Sequence, residues 1–135
     1  MSAQSPSNRI GWYNGVSPQA RRATLAIQRA AIREGRMPNP TICSVCRFVD
    51  SDDPTGKNRV GLHDENYNRP LEAYPICRVC HGILHRRFER PARWMRLVKA
   101  HGDGWQWFER LSLDPDCRWR RFSEIYIDGL PLPRI

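Results

Sequence analysis

The chain has 135 residues, room for one domain and too little for two ordinary ones. Its 22 Lys+Arg against 14 Asp+Glu leave a net charge of +8, and its 40% apolar content, broken by 11 prolines and 9 glycines, promises a thin core that has to be stapled. With no apolar run near the ~18 residues of a membrane span and no basic-then-apolar leader, the expectation is a soluble, intracellular, cytoplasmic protein whose partner is an anion, nucleic acid first.

Residues 1–10 are rich in Ser, Asn and Gln and read as a disordered tail. Trp12 and Tyr13 beside Gly15 suggest an anchor where the tail ends. Residues 11–40 then hold a basic helix and an extended segment. Ser17 and Pro18 make an N-cap and a first helical position, and Gly35 makes the stop. Ala23, Ile27, Ala30 and Ala31 are the expected inner stripe, with Arg21, Arg22, Arg29 and Arg33 outside. Pro38 and Pro40 force an extended lead into the first cysteine turn.

Four of the five cysteines fall in two C-x2-C pairs, Cys43/Cys46 and Cys77/Cys80, with Cys117 left over as a packed or exposed thiol. Each pair sets two sulfurs on one tight turn, and two such turns complete a tetrahedral thiolate site for a structural Zn2+. The thirty residues between the pairs are enough for a hairpin. Phe48 and Val49 open its first strand, residues 50–58 are a polar turn, and Arg59 to His63 return with Val60 and Leu62 on one face and Arg59, Gly61 and His63 on the other. Leu71 to Ile76 lead into the second cysteine turn, and Cys80 to Phe88 read as a helix. A further helix runs from Pro91 to about Ala100, with Trp94, Leu97 and Val98 facing inward and Gly102 as its stop. Trp105, Trp107 and Phe108 suggest a small accessory core. The order of zinc turn, hairpin and helix predicts an α+β fold: a small zinc-stapled treble-clef (ββα-metal) core at residues 41–90 with flanking α-helices, and a Trp/Arg-rich cap within residues 91–135.

His81 and His85 are four apart on the helix after the second pair and share a face on which two imidazoles can hold one metal. His63, with Asp64 beside it, ends the strand expected to pack near that helix, so three of the four histidines converge on one candidate site. His101 lies apart, at a helix end.

Cys-Ser-Val-Cys at 43–46, His-Asp-Glu-Asn-Tyr-Asn-Arg-Pro-Leu-Glu at 63–72 and Ile-Cys-Arg-Val-Cys-His-Gly-Ile-Leu-His at 76–85 together resemble small zinc-bound HNH proteins. These belong to the His-Me finger (ββα-metal) endonucleases of bacteria and phages. The resemblance covers about residues 41–90 and extends loosely over residues 87–94. It implies a metal-dependent endonuclease hydrolysing phosphodiester bonds in DNA, with low sequence specificity. His63 would be the general base, and His85, with His81 and Asp64, would hold a second divalent cation, Mg2+, Mn2+, Ni2+ or Zn2+. Two positions depart from the family pattern: the order His63-Asp64 in its first signature, and Glu72 where the family's Asn would fall.

Arg86, Arg87, Arg90, Arg93, Arg96 and Lys99 follow the site and are expected to contact nucleic acid, DNA ahead of RNA. Arg118, Arg120 and Arg121 interleave with Trp119 and Phe122, which suits either phosphate contact with base stacking or an edge strand that buries Trp119. The competing reading is a non-catalytic, zinc-stapled nucleic-acid-binding or inhibitory protein, or a component of a nucleoprotein assembly. Related nucleases that cut both strands often pair, so a homodimer is compatible with the chain.

Overall fold

The computed structural model describes residues 11–132, and the tail expected at residues 1–10 lies outside them. Helix α1, Pro18–Arg33, starts where the Ser17 hydroxyl accepts from the Ala20 amide (3.2 Å), and the chain leaves it through Gly35 at φ +73°. Two short strands come next, β1 (Val60–His63) and β2 (Tyr74–Cys77). They pair antiparallel, with Val60 opposite Cys77 and His63 opposite Tyr74. Helix α2, Arg78–His85, springs directly from β2, with the Cys77 sulfur as its N-cap. Helix α3 (Pro91–His101) and the single turn α4 (Phe122–Ile125) complete the chain, joined by 3-10 turns at Trp107–Arg110 and Pro115–Arg118. The architecture is α+β.

The core forms where the cysteine turns, the sheet, α2 and α3 meet. Val45, Ile76, Leu84, Trp94, Trp107 and Phe108 are among its buried members, with Leu97 and Val98 packed against it. As expected, α3 turns Trp94 inward and stops at Gly102. Trp107 and Phe108 belong to this main core and build no separate one, while Trp105 stays exposed. Trp107 stacks on Tyr74 with ring centroids 3.9 Å apart and donates through Nε1 to the Ser44 hydroxyl (3.1 Å).

Two expectations fail for identifiable reasons: the first hairpin and the inner stripe of α1. Val49 forms one bridge with Ile42 beside the first cysteine turn, and β1 takes β2 as its partner, so the 48–63 hairpin does not form. The cysteine turn claims Phe48, whose carbonyl accepts from the Cys43 amide (2.8 Å), and the segment hydrogen-bonds to β1 only through a side chain, Asp50 accepting from the Val60 amide (3.0 Å). His63 is only 2% exposed, because α2 and Trp107 cover the end of β1, the packing expected for that strand.

The buried stripe of α1 is Thr24, Gln28 and Ala31, while Ile27 is 47% exposed. This helix lies across the polar loop after β1 and takes its contacts from polar groups. Gln28 Nε2 donates to both Asp64 oxygens (2.7 and 2.9 Å) and to the Pro70 carbonyl (2.9 Å). Arg21 Nε donates to the Tyr67 hydroxyl (2.8 Å). Only its C-terminal end reaches an apolar group, where Ala31 and Ile32 join a small cluster with Met37 and Ala73. No helix among the described residues is long and apolar enough to cross a membrane.

Candidate metal centres

Two groups of metal-ligating side chains are built on α2. The first is Cys43, Cys46, Cys77 and Cys80, whose sulfurs all lie within 4.8 Å of one another. Backbone geometry makes each turn. In the first, the amides of Val45 and Cys46 both point at the Cys43 sulfur (3.4 Å each), and Arg47 takes a left-handed φ of 69° to leave the turn. In the second, the Cys80 amide points at the Cys77 sulfur (3.5 Å). The Cys46 and Cys77 sulfurs are 3.7 Å apart. Zn–S bonds of about 2.3 Å in a tetrahedron put sulfurs about 3.8 Å apart, so the four thiols fit a structural zinc. The Cys80 thiol, hydrogen-bonding to the Cys43 sulfur, draws Cys43 down to about 4, while burial pushes Cys46 up to about 11. Sulfurs this close compete for negative charge, and a dication resolves the competition.

The second group is His63, His81 and His85. The i, i+4 spacing on α2 stacks His81 and His85 on one face, and β1 delivers His63 to the same point. His81 Nε2 lies 3.2 Å from His63 Nδ1 and 3.0 Å from His85 Nε2. One imidazole nitrogen carries a single in-plane proton or lone pair and cannot serve two such neighbours well. Three nitrogens at about 2.0–2.1 Å from one tetrahedral metal would be about 3.3 Å apart, which matches the spacing here. Burial holds all three imidazoles below their ordinary range, His81 at about 3 and His85 well down, so each is neutral and offers a lone pair at neutral pH. His81 and His85 are half-buried and His63 is fully covered. Tyr13 and Trp107 supply aromatic walls, Tyr13 meeting His63 and His85 edge-on at 5.5 and 5.2 Å.

Behind His63 stands Glu65, which the motif pattern does not single out. Its carboxylate is 0% exposed and receives His63 Nε2 (2.7 Å) and the Tyr13 hydroxyl (2.6 Å) on Oε1, then Asn14 Nδ2 and the Tyr126 hydroxyl (both 2.9 Å) on Oε2. Burial pushes its pKa up, but the His63 hydrogen bond and charge, with Arg87 and Asn14, outweigh it and hold Glu65 at about 2. A signal does exist in the chain: alternation continued from β1 puts residues 63 and 65 on one side and 64 on the other.

Asp64 is accordingly not among the gathered ligands; its carboxylate is bound by Gln28, and burial raises it to about 6. Glu72 pairs with Arg69 at 3.0 Å, and the group on His63 Nε2 is Glu65. Cys117 is buried as a free thiol, and His101 is exposed at the end of α3.

Among the expected nucleic-acid contacts, Arg87 is a clear departure. It is 0% exposed, with Nε donating to the Ser112 carbonyl (2.7 Å), Nη1 to the Leu84 carbonyl (3.1 Å), and the guanidinium 4.2 Å over the Phe88 ring. Its charge lies opposite buried Glu65 and belongs to the interior. Arg86, Arg90, Arg93, Arg96 and Lys99 are not buried, the last three at i, i+3 steps on the side of α3 away from Trp94. Arg118 is half-buried and bound to Glu89, whereas Arg120 and Arg121 are exposed. Trp119 sits in no strand; it remains 57% exposed against Trp12, with centroids 5.9 Å apart. No protein-family model, curated protein or solved structure matches the chain.

Proposed function

We propose that the protein is a metal-dependent, HNH-like nuclease with a treble-clef core, hydrolysing phosphodiester bonds in DNA with little sequence preference. The observation that carries this reading is the meeting of three neutral imidazoles at one point, one residue along α2 from the thiolate cluster. In the reaction, a water oxygen forms a bond to phosphorus while a sugar oxygen leaves. A divalent ion held by the imidazoles would neutralise the charge building on the phosphate and lower the pKa of a bound water.

The chain's own residues divide the remaining work. Tyr13 and Trp107 wall the imidazoles and restrict water around them. Glu65 fixes the His63 ring, the orienting duty that the resemblance gives to an Asn at position 72. Arg93, Arg96 and Lys99 offer phosphate contacts along one side of α3, which positions a backbone without reading bases. The four-cysteine zinc has no open position and serves the fold.

The direct test is cleavage of plasmid and single-stranded DNA with Mg2+, Mn2+, Ni2+ and Zn2+ in turn, by wild type, His63→Ala and His85→Ala. Wild type should cut with at least one ion, and both variants should lose most of that activity. Equal rates in all three proteins would sink the enzymatic reading. The burial of His63 favours the second reading, a zinc-stapled nucleic-acid-binding protein in which the three imidazoles are structural. That protein would bind DNA in a salt-sensitive way and cut none.

A further inference from the structure

His63 has two ring nitrogens, and its neighbours assign them different duties. Nε2 faces Glu65, on whose carboxylate Tyr13, Asn14 and Tyr126 also converge as donors. The Tyr126 hydroxyl accepts from the Ser112 amide (3.1 Å), so its own proton is committed to Glu65. A carboxylate ringed by donors only accepts, and the His63 nitrogen facing it therefore carries the hydrogen. The other nitrogen of the neutral ring, Nδ1, is then bare, and it is the atom 3.2 Å from His81 Nε2. A carboxylate behind a histidine's N–H, with the second nitrogen turned to a shared point, is the way proteins fix a metal-ligating imidazole.

We infer that His63 is a metal ligand through Nδ1, held so by Glu65 as a positioning residue, and that His63, His81 and His85 form a nitrogen-only centre for a borderline transition cation such as Zn2+, Co2+ or Ni2+. The two carboxylates next to His63 in the chain stay outside the ligand set: Asp64 is turned to Gln28, and Glu65 stands on the far side of the His63 ring. Mg2+ and Ca2+ take oxygen ligands and hold water tightly, so three imidazoles give them little. This inference rests on the imidazoles being a metal centre and not on the protein cutting DNA.

The test is metal binding in the absence of nucleic acid. Full-length protein carrying one equivalent of Zn2+ on its cysteines is titrated calorimetrically with Co2+, and separately with Co2+ in millimolar Mg2+. The ring tautomers are read from long-range 1H–15N NMR spectra of the metal-free imidazoles. One further Co2+ should bind per chain, Mg2+ should not compete, and His63 should show the Nε2–H tautomer. Co2+ affinity should fall by about 10–100-fold in Glu65→Gln and further in His63→Ala. Competition by Mg2+, an Nδ1–H tautomer, or unchanged Co2+ affinity in His63→Ala would each overturn the inference, the last making His63 a base. If Glu65→Gln does not fold, the wild-type tautomer and the His63→Ala titration still decide. A chain that binds Co2+ in this way but cuts no DNA keeps the centre and loses the nuclease. A chain that cuts DNA but holds Co2+ equally well without His63 does the reverse.

Discussion

The thiolate and imidazole clusters share α2, with Cys80 in one and His81 in the other, yet they are built to different ends. The cysteines come from two turns that the backbone itself shapes, with amides aimed at sulfur and a left-handed residue at the exit. Four thiols fill a tetrahedron and leave nothing for a substrate. The imidazoles come from one strand end and one helix face, and their geometry depends on side chains: Glu65 behind His63, and Tyr13 and Trp107 beside it. Three ligands leave room for a fourth. A closed set shaped by backbone suits a staple, whereas an incomplete set shaped by side chains suits chemistry, and each half of that contrast can be broken separately.

The largest effect should come from the closed set. Structural zinc sites contribute about 10–16 kcal/mol of apparent binding free energy, which exceeds the whole stability of an ordinary domain. Cys46→Ser, or strong chelation, should therefore abolish cooperative unfolding, as followed by near-UV circular dichroism. Cys77→Ser is the sharper variant, because a serine hydroxyl still caps α2 and only the zinc ligand is removed. If Cys77→Ser unfolds as fully as Cys46→Ser, the metal and not the cap holds this region.

The open set should behave in the opposite way. His85→Ala removes a ligand from a half-buried position and leaves the thiolates intact. Cleavage should fall by about 100-fold or more, the cost of losing several kcal/mol of charge stabilisation, while the melting temperature moves little. A variant that unfolds instead would make the imidazoles part of the staple and erase the contrast.

The closed set was the more legible of the two. Cysteine spacing is a local signal, and so is the i, i+4 pair His81/His85; the zinc turns, α2, α3 and the three converging histidines can all be read along the chain. What escaped depends on partners distant in sequence. Arg87 reads as one more charge in a basic run, and its burial is visible only once Tyr13, Glu65 and Ser112 are brought to it. Gln28 and Thr24 form the inner stripe of α1 because that helix meets a polar loop, whereas an apolar period assumes an apolar neighbour. The pairing of β1 with β2 replaced the expected hairpin because the first cysteine turn had already claimed Phe48.

A smaller effect should come from changing charge outside both sets. Arg93→Glu with Arg96→Glu leaves the core side of α3 untouched, since Trp94, Leu97 and Val98 face the other way. DNA binding should weaken about tenfold or more, and the slope of log K against log salt should fall by about 0.9 for each phosphate that is no longer neutralised. Arg120→Glu, on the far cap, is the comparison. An equal weakening there would mean that the anion follows no particular face.

The smallest effect is expected at Asp64, where resemblance and geometry disagree most openly. As a metal ligand it could not be replaced by an amide without a large loss of activity. As the partner of Gln28 it can be, because the Oδ1 of an asparagine still accepts from the Gln28 amide that now bridges both carboxylate oxygens. Asp64→Asn should therefore cost about 1 kcal/mol of stability, the worth of one weakened hydrogen bond, and leave cleavage and Co2+ affinity within a few-fold of wild type. Gln28→Ala should cost more stability and also spare the metal, since it strips both hydrogen bonds from the buried Asp64 carboxylate and a third from the Pro70 carbonyl. If Asp64→Asn instead loses the second metal while Gln28→Ala keeps it, the carboxylate turns inward on binding. The open set then has a fourth protein ligand, and its chemistry moves toward the oxygen-preferring ions.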